Sequence, residues 1–389
     1  MICTVSTVKD SLRNVQQFVD RNLASGADHM FVFLDGGDGE LEAYLTEQNN
    51  VTPIPTRKDY WRGSRPGRLN RRQAINANLI NTLLAAFERV RWLIQIDGDE
   101  CLDIDKARLL RTRASLPYVV LETREAVSQQ HPEGDAQLFK QRLTRTQLRL
   151  LRSRGLIDRP DNEAYFNGHF VGKPGIAPSL DVDLHIHSAR TRTGRRLMPL
   201  RSRSLGVLHY ESVSGDEFIR KWTTHLSSGS GAKFRGDKDA IRAAVQPVIM
   251  DASLSEEAKR ESLMKLYAAH VVDDVEALLD LGYLVRPAPE YHAYTPQPWT
   301  PDQALLVSAL LSRLVRVDKR CYQPGGGSGD RREVLRAALG ELGDADPRLA
   351  TMINSCLDRS RGGLAMVIAS LVNVVGPVST VGQRKAKAG

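Results

Sequence analysis

The first hundred residues alternate between short β-branched runs and stretches with helical spacing, and that alternation constrains the fold most. ICTVST, next to the N-terminus, reads as a strand. Leu12, Val15, Val19 and Leu23 then recur at helical spacing, and Gly26 ends the helix they define. HMFVFLD (His29 to Asp35) is a second strand, closed by the turn-rich GGDG. After VTPIP and a basic loop, a helix is predicted from about Asn70 to Arg89, and RWLIQID supplies a third strand ending at Asp97. This order predicts an α/β fold: a doubly wound, mainly parallel mixed sheet flanked by helices. In open sheets of this kind ligands occupy the crevice beyond the carboxyl ends of the strands. Asp35 and Asp97 both fall at such ends.

Further along, PYVVLETRE (Pro117 to Glu125) adds a core strand, and HFVGKPGIAP, VDLHIHS and SLGVLHYES are shorter strand-like pieces. From about Glu217 the pattern turns helical, interrupted by QPGGGSGDRR (Gln323 to Arg332), which reads as a flexible linker. The expected organisation is an α/β domain over 1–225, a helical extension over 226–322, a linker over 323–332, and a helical segment with a basic tail over 333–389. Between Gly362 and Gln383 the chain is uncharged and apolar, but Asn373, Gly376 and Pro377 interrupt it. A buried or oligomer-contact helix fits that stretch better than peripheral membrane attachment, and a span fits it least.

Composition narrows the class. Hydrophobic residues make up 41% of the 389 and charged residues 26%, which excludes wholesale disorder. The four cysteines are scattered with no CxxC pair, which argues against a disulfide scaffold or a cysteine–zinc site. With no signal-peptide pattern in MICTVSTVKD, a cytoplasmic setting is expected. Lys and Arg number 54 against 46 Asp and Glu, a formal +8. The excess clusters in Arg57 to Arg72, Lys140 to Arg154 and Arg190 to Arg203. Such fields attract phosphates on nucleotides, nucleic acids, anionic glycans or lipid headgroups, the last consistent with the inner face of a membrane. Only 6% of residues are aromatic, and the clusters hold few beyond Tyr60 and Trp61, so a module stacking nucleic-acid bases is disfavoured.

WLIQIDGDE (Trp92 to Glu100) is the most informative string. An apolar strand delivers Asp97, Asp99 and Glu100 into a turn that Gly98 makes possible. Carboxylates crowded this closely repel one another unless a cation or a buried proton relieves them. Mg²⁺ or Mn²⁺ takes oxygen ligands and often shares them with a diphosphate. A second acidic turn, Asp35 to Asp38, either hydrogen-bonds a ribose or base amide or is simple turn chemistry. Late in the same half lie His185 and His187, two apart and so on one face if that piece is a strand, and His209. Each is a candidate metal ligand or acid/base.

Taken in order, ICTVSTVKDSLRNVQQFVDRNLASGADHMFVFLDGGDGE, RRQAINAN, WLIQIDGDE, VGKPGIAP and VLHYESVSGDEFIRKW resemble the pattern of family-2-like glycosyltransferases with a GT-A fold, of bacterial type. The likeness covers roughly residues 1–225. It departs from the family at Asp10, where Asn is usual, at Pro174, where Ser is usual, and at Cys101, where an aromatic often follows. The resemblance implies a transferase using a nucleoside-diphosphate sugar and acting on a hydroxyl of a glycan, polysaccharide or lipid-linked acceptor, with inversion favoured. Thr7, Lys9, Asp35 and Asp38 would lie at the nucleoside, with Arg72 and Gln73 near the diphosphate or ribose. Asp97 and Asp99 would hold the donor, and Asp99 the Mn²⁺ or Mg²⁺, with Asp97 beside it. His209 is the expected third ligand and His187 the second choice. Glu125 or, alternatively, Glu100 would be the catalytic base. Another metal-dependent nucleotide-using transferase, such as a nucleotidyltransferase, is the competing reading, but TVKDSLR lacks the glycines of a phosphate loop.

Overall fold

The computed structural model describes residues 1–227 other than 37 and 114, residues 237–325 and 330–346, and the single residues 348, 350 and 353. The apolar stretch 362–383 and the basic tail lie outside the described residues. The chain opens with β1 (Ile2–Val8), α1 (Leu12–Ala24), β2 (His29–Leu34), α2 (Gly39–Thr46), β3 (Val51–Pro55), α3 (Lys58–Trp61), α4 (Leu69–Leu84) and β4 (Trp92–Gln95). Ser11 caps α1 by accepting the amide of Asn14, and Gly26 makes the turn into β2 at φ +108°, where a side chain would be strained.

The parallel block runs β3-β2-β1-β4. From β1 the chain winds outward to β2 and β3 on one side, then returns to lay β4 on the other. That reversal leaves a crevice between the carboxyl ends of β1 and β4. Next come β5 (Glu100–Ile104), α5 (Lys106–Leu110), β6 (Tyr118–Ala126), β7 (Phe139–Lys140), α6 (Arg145–Ser153), α7 (Asn162–Tyr165) and β8 (Lys173–Ile176). A hairpin of β9 (Val182–His185) and β10 (Ser188–Thr191) precedes the long β11 (Leu200–His209). Here the pairing is mixed: β8 lies antiparallel between β4 and β6, and β11 runs parallel to β6 but antiparallel to β5. The parallel sheet expected from the sequence is therefore its first four strands.

One face of the sheet packs under α4 and the other under α1 and α2, the latter through Val15, Phe18, Val19, Leu41 and Leu45. The later helices are α8 (Gly215–Ser227), α9 (Asp237–Met250), α10 (Glu256–His270), α11 (Val275–Asp280), α12 (Pro301–Leu314) and α13 (Arg331–Ala345), with β12 (Leu284–Val285) pairing β7. The expected extension 226–322 does not behave as one unit. Phe218, Trp222, Val245, Leu263 and Tyr267 join α8, α9 and α10 in a core of their own. Leu306, Leu310 and Leu314 of α12, with Leu339 and Leu342 of α13, instead share the core of the sheet and α4.

The glycine-rich run is tied down on both sides of residues 326–329. The Gly325 amide donates to Asp183 at 2.9 Å. Arg331, expected inside the linker, opens α13 and is buried, donating to Asn78 Oδ1 at 2.7 Å, to the Val182 carbonyl at 3.1 Å and to Asp183. The physical reason is charge: Asp183 is itself buried and needs a counter-ion. No helix among the described residues is long and apolar enough to cross a membrane.

Because removing one partner strands the other in a low dielectric, Arg331→Ala should lower unfolding stability by about 3 kcal/mol, read from urea denaturation. An unchanged midpoint would show that this contact does not clamp α13 to the sheet domain.

Candidate functional site

Helix α4 presents three side chains to three strand ends. Arg72 donates to Asp35 at 2.7 Å beyond β2, and Arg65 binds the other Asp35 oxygen at 2.8 Å. Gln73 donates to Asp97 at 2.7 Å beyond β4. Asn76 donates to Thr7 at 2.9 Å near the end of β1 and accepts from the Tyr60 hydroxyl at 2.7 Å. Thr7, Asp35, Arg72, Gln73 and Asp97 thus line one carboxyl edge, with Asp35 and Asp97 at strand ends as the sequence pattern places them. Lys9 stands exposed just past β1. Asp38 has a local duty: its carboxylate caps α2, accepting the amides of Glu40 and Leu41 at 3.0 and 3.4 Å. Of the two readings of that acidic turn, turn chemistry accounts for Asp38.

The acidic turn after β4 is folded on itself. Glu100 accepts the Asp97 amide at 2.8 Å, and Lys173, fully buried on β8, pairs with Asp97 and lies 3.3 Å from Glu100 Oε2. Gly98 fits because a Cβ there would already press on both Val8 methyls at 3.3 Å.

Beside this turn, strand register builds a row. His209 lies opposite Glu100 of β5 and opposite Glu125 of β6, and Glu125 lies opposite Lys140 of β7. Side chains in register share a face, so Glu100, His209, Glu125 and Lys140 form a buried line of alternating charge. Lys140 Nζ is 3.1 Å from Glu125 and 2.9 Å from Asp273. Glu125 also accepts the amides of Asn167 and Gly168, each at 2.6 Å, and faces His209 Nδ1 at 3.5 Å. The other ring nitrogen of His209 is 3.2 Å from Glu211 and 3.6 Å from Asp99. Lys221 of α8 donates to both of those carboxylates, at 2.5 Å to Asp99 and 3.1 Å to Glu211.

The electrostatics follow from the row. Burial pushes the Glu125 carboxyl up, but Lys140 and His209 override it and hold it down at about 2. Glu100 is likewise raised by burial and brought back to about 2, first of all by the Lys173 ammonium. Burial also opposes ionisation of Asp99, yet Lys221 and His209 keep it well below the usual carboxylate range. Burial disfavours an imidazolium at His209, and Asp99, Glu125 and Glu211 outweigh it, raising its pKa well above the ordinary value.

Glu125, the first choice of catalytic base, has its oxygens engaged by two backbone amides and the Lys140 ammonium. Glu125 positions the 167–168 loop and orients His209, while Glu100 closes the acidic turn. Among the described residues two groups could hold a metal ion: Asp99, His209 and Glu211, and Glu100, His169 and His209. The first unites two of the residues expected as ligands. Asp97 and His187 belong to neither group. Both Asp97 oxygens are committed to Gln73 and Lys173. His187 sits in the β9–β10 turn rather than on a strand with His185, and burial beside Lys173 drives its pKa to about 3.

Several residues of the site were not singled out from sequence. Lys173, Lys221, Glu211 and His169 all stand inside the strings quoted above, so the signal was present but unassigned. Asp273 has no local signal; only the fold brings it to Lys140.

No family model matches this chain, and no curated protein matches it. Among solved structures it is similar to HddC from Yersinia pseudotuberculosis, at 10% identity over 46% of this chain and 77% of that one, with a TM-score of 0.24. Likeness at that level fixes no function.

Two outcomes test the site's construction. A Cβ on Gly168 would lie 2.3 Å from His209 Cε1 and 2.5 Å from Glu125 Oε2. Gly168→Ala should therefore displace the His209 ring, costing about 2 kcal/mol in thermal or urea unfolding, and weaken Mn²⁺ binding. An ion bound to His209 must displace its proton, so Mn²⁺ affinity should rise up to about tenfold per unit between about pH 6 and pH 8. A flat profile in a titration of the native protein would show that His209 is no ligand.

Proposed function

We propose that this protein is a glycosyltransferase of GT-A type, transferring a sugar from a nucleoside diphosphate to an acceptor hydroxyl. The observation that carries the reading is the gathering of Asp99, His209 and Glu211 beside the crevice at the carboxyl ends of β1 and β4. Acidic and imidazole ligands at that place suit a divalent ion shared with a diphosphate.

In this reading Asp99, His209 and Glu211 hold Mn²⁺ or Mg²⁺, which would neutralise the departing nucleoside diphosphate. Thr7, Asp35 and the α4 residues Arg72 and Gln73 receive the nucleoside and ribose, with Arg65 in position to leave Asp35 for a phosphate. Lys173 and Lys221 add fixed positive charge where negative charge develops on the leaving group, the kind of preorganised stabilisation that lowers such barriers most. The acceptor is a glycan, polysaccharide or lipid-linked hydroxyl, and the resemblance favours inversion. The basic surface, which includes the exposed arginines of α6, suits an anionic acceptor or an anionic membrane face.

A thermal-shift panel of nucleoside diphosphates and nucleotide sugars, each with and without Mn²⁺, tests this directly. A manganese-dependent rise with one nucleotide sugar is expected, since a ligand that binds only the folded state raises apparent stability. Asp99→Ala should abolish that rise and leave the fold intact, because Lys221 keeps Glu211 as its partner. No shift with any nucleotide in folded wild-type protein would reject the reading.

A further inference from the structure

The second carboxylate–imidazole group has features that hydrogen bonding leaves unexplained. Glu100 Oε2 is satisfied by the Asp97 amide and lies 3.3 Å from Lys173. Glu100 Oε1 has no hydrogen-bond partner although the side chain is wholly buried. It faces His169 Nε2 at 3.0 Å, and that nitrogen also lacks a hydrogen-bond partner. The other His169 nitrogen, Nδ1, lies 3.0 Å from the Val171 carbonyl. A carbonyl only accepts, so Nδ1 carries a hydrogen and Nε2 is the nitrogen left facing Glu100. Glu100 Oε1 and His169 Nε2 therefore lie 3.0 Å apart, both atoms buried, in a geometry that is not that of a hydrogen bond.

That arrangement suits an ion. Ligand atoms about 2.1 Å from a metal and at right angles to one another are about 3.0 Å apart. Each lone pair then points at the ion and not at its neighbour, which accounts for the missing hydrogen bond. His209 supplies a third ligand atom within 4.8 Å of the other two. Its ring is stacked on that of His169, with centroids 4.6 Å apart. Lys173 holds the opposite oxygen of Glu100, which leaves Oε1 for the ion.

We propose that Glu100, His169 and His209 form an imidazole-rich site for a divalent transition metal, separate from the Asp99–His209–Glu211 group and filled in the absence of any nucleotide. Two imidazoles and one carboxylate favour Co²⁺, Zn²⁺ or Mn²⁺ over Mg²⁺, which prefers oxygen ligands throughout. The site stands or falls independently of the transferase reading. Because both groups use His209, an ion here restricts what the Asp99 group can hold.

Co²⁺ titration of the full chain without nucleotide, followed by visible absorption, tests the site, with Mg²⁺ as competitor. Wild type should bind with a ligand-field spectrum that excess Mg²⁺ leaves unchanged. His169→Gln should weaken Co²⁺ binding at least tenfold while Asp99→Asn changes it less than threefold. The Gln amide of that variant can donate to Glu100 in place of an ion, so the fold is expected to survive, and circular dichroism checks it. His169→Ala should behave as His169→Gln does. The proposal is overturned if Asp99→Asn weakens binding and the His169 variants do not, which would place the ion in the other group. Equal losses in both would mean one ion spanning both groups, and no Co²⁺ binding by wild type would mean a protonated His169 paired with Glu100; either result also rejects it. The transferase reading is judged separately by the nucleotide panel.

Discussion

The row Glu100–His209–Glu125–Lys140 is the interaction on which the rest of the site depends. Each member is nearly or fully buried, so none could stay ionised alone. Cross-strand register places each opposite charge beside the next, and the low dielectric that makes isolated charge costly makes this alternation strong. The row also explains details around it. Glu125 reaches out of it to fasten the amides of residues 167 and 168, so the loop that carries His169 is set by the same carboxylate that orients His209. Gly168 is then required by space as much as by turn geometry, since the loop passes so close to the ring that even a methyl collides.

Helix α4 plays the corresponding part for the carboxyl edge of the parallel strands. Its span from Arg72 to Leu84 is buried, although that span carries three asparagines that would ordinarily mark a surface. Asn78 exchanges hydrogen bonds with the backbone of Leu184, and Asn81 donates to the Val182 carbonyl. The asparagines thus stand in for a missing strand partner along β9. Bonded in this way, α4 can be covered by α12 and α13, and its first turns aim Arg72, Gln73 and Asn76 at three separate strand ends.

What could be read from the sequence divides along the same physical line. β1, β2, β4 and β6 were legible because apolar runs report burial locally, and the acidic turn was legible because three carboxylates in four residues demand a partner. The partners themselves were not, since they come from far along the chain: His169 to Glu100, Lys221 to Asp99, Asp273 to Lys140. Glu125 looked like a base because a carboxylate at a strand end is a reasonable one. The four groups that converge on it, two amides, Lys140 and His209, were not legible locally. The glycine-rich run misled for a related reason, because flexible composition says nothing of Arg331 and its buried counter-ion.

Charge balance gives the site its remaining constraint. Asp97, Asp99, Glu100, Glu125, Glu211 and Asp273 are six carboxylates within one connected network. Lys140, Lys173 and Lys221 supply three positive charges and a protonated His209 a fourth. With all six ionised, two negative charges remain, and a divalent cation that replaces the His209 proton cancels all but one of them. The network therefore carries a residual negative charge that attracts a cation. Lys221 occupies the place an ion would take: its largely buried ammonium lies on both Asp99 and Glu211 and supplies there the positive charge those two carboxylates need.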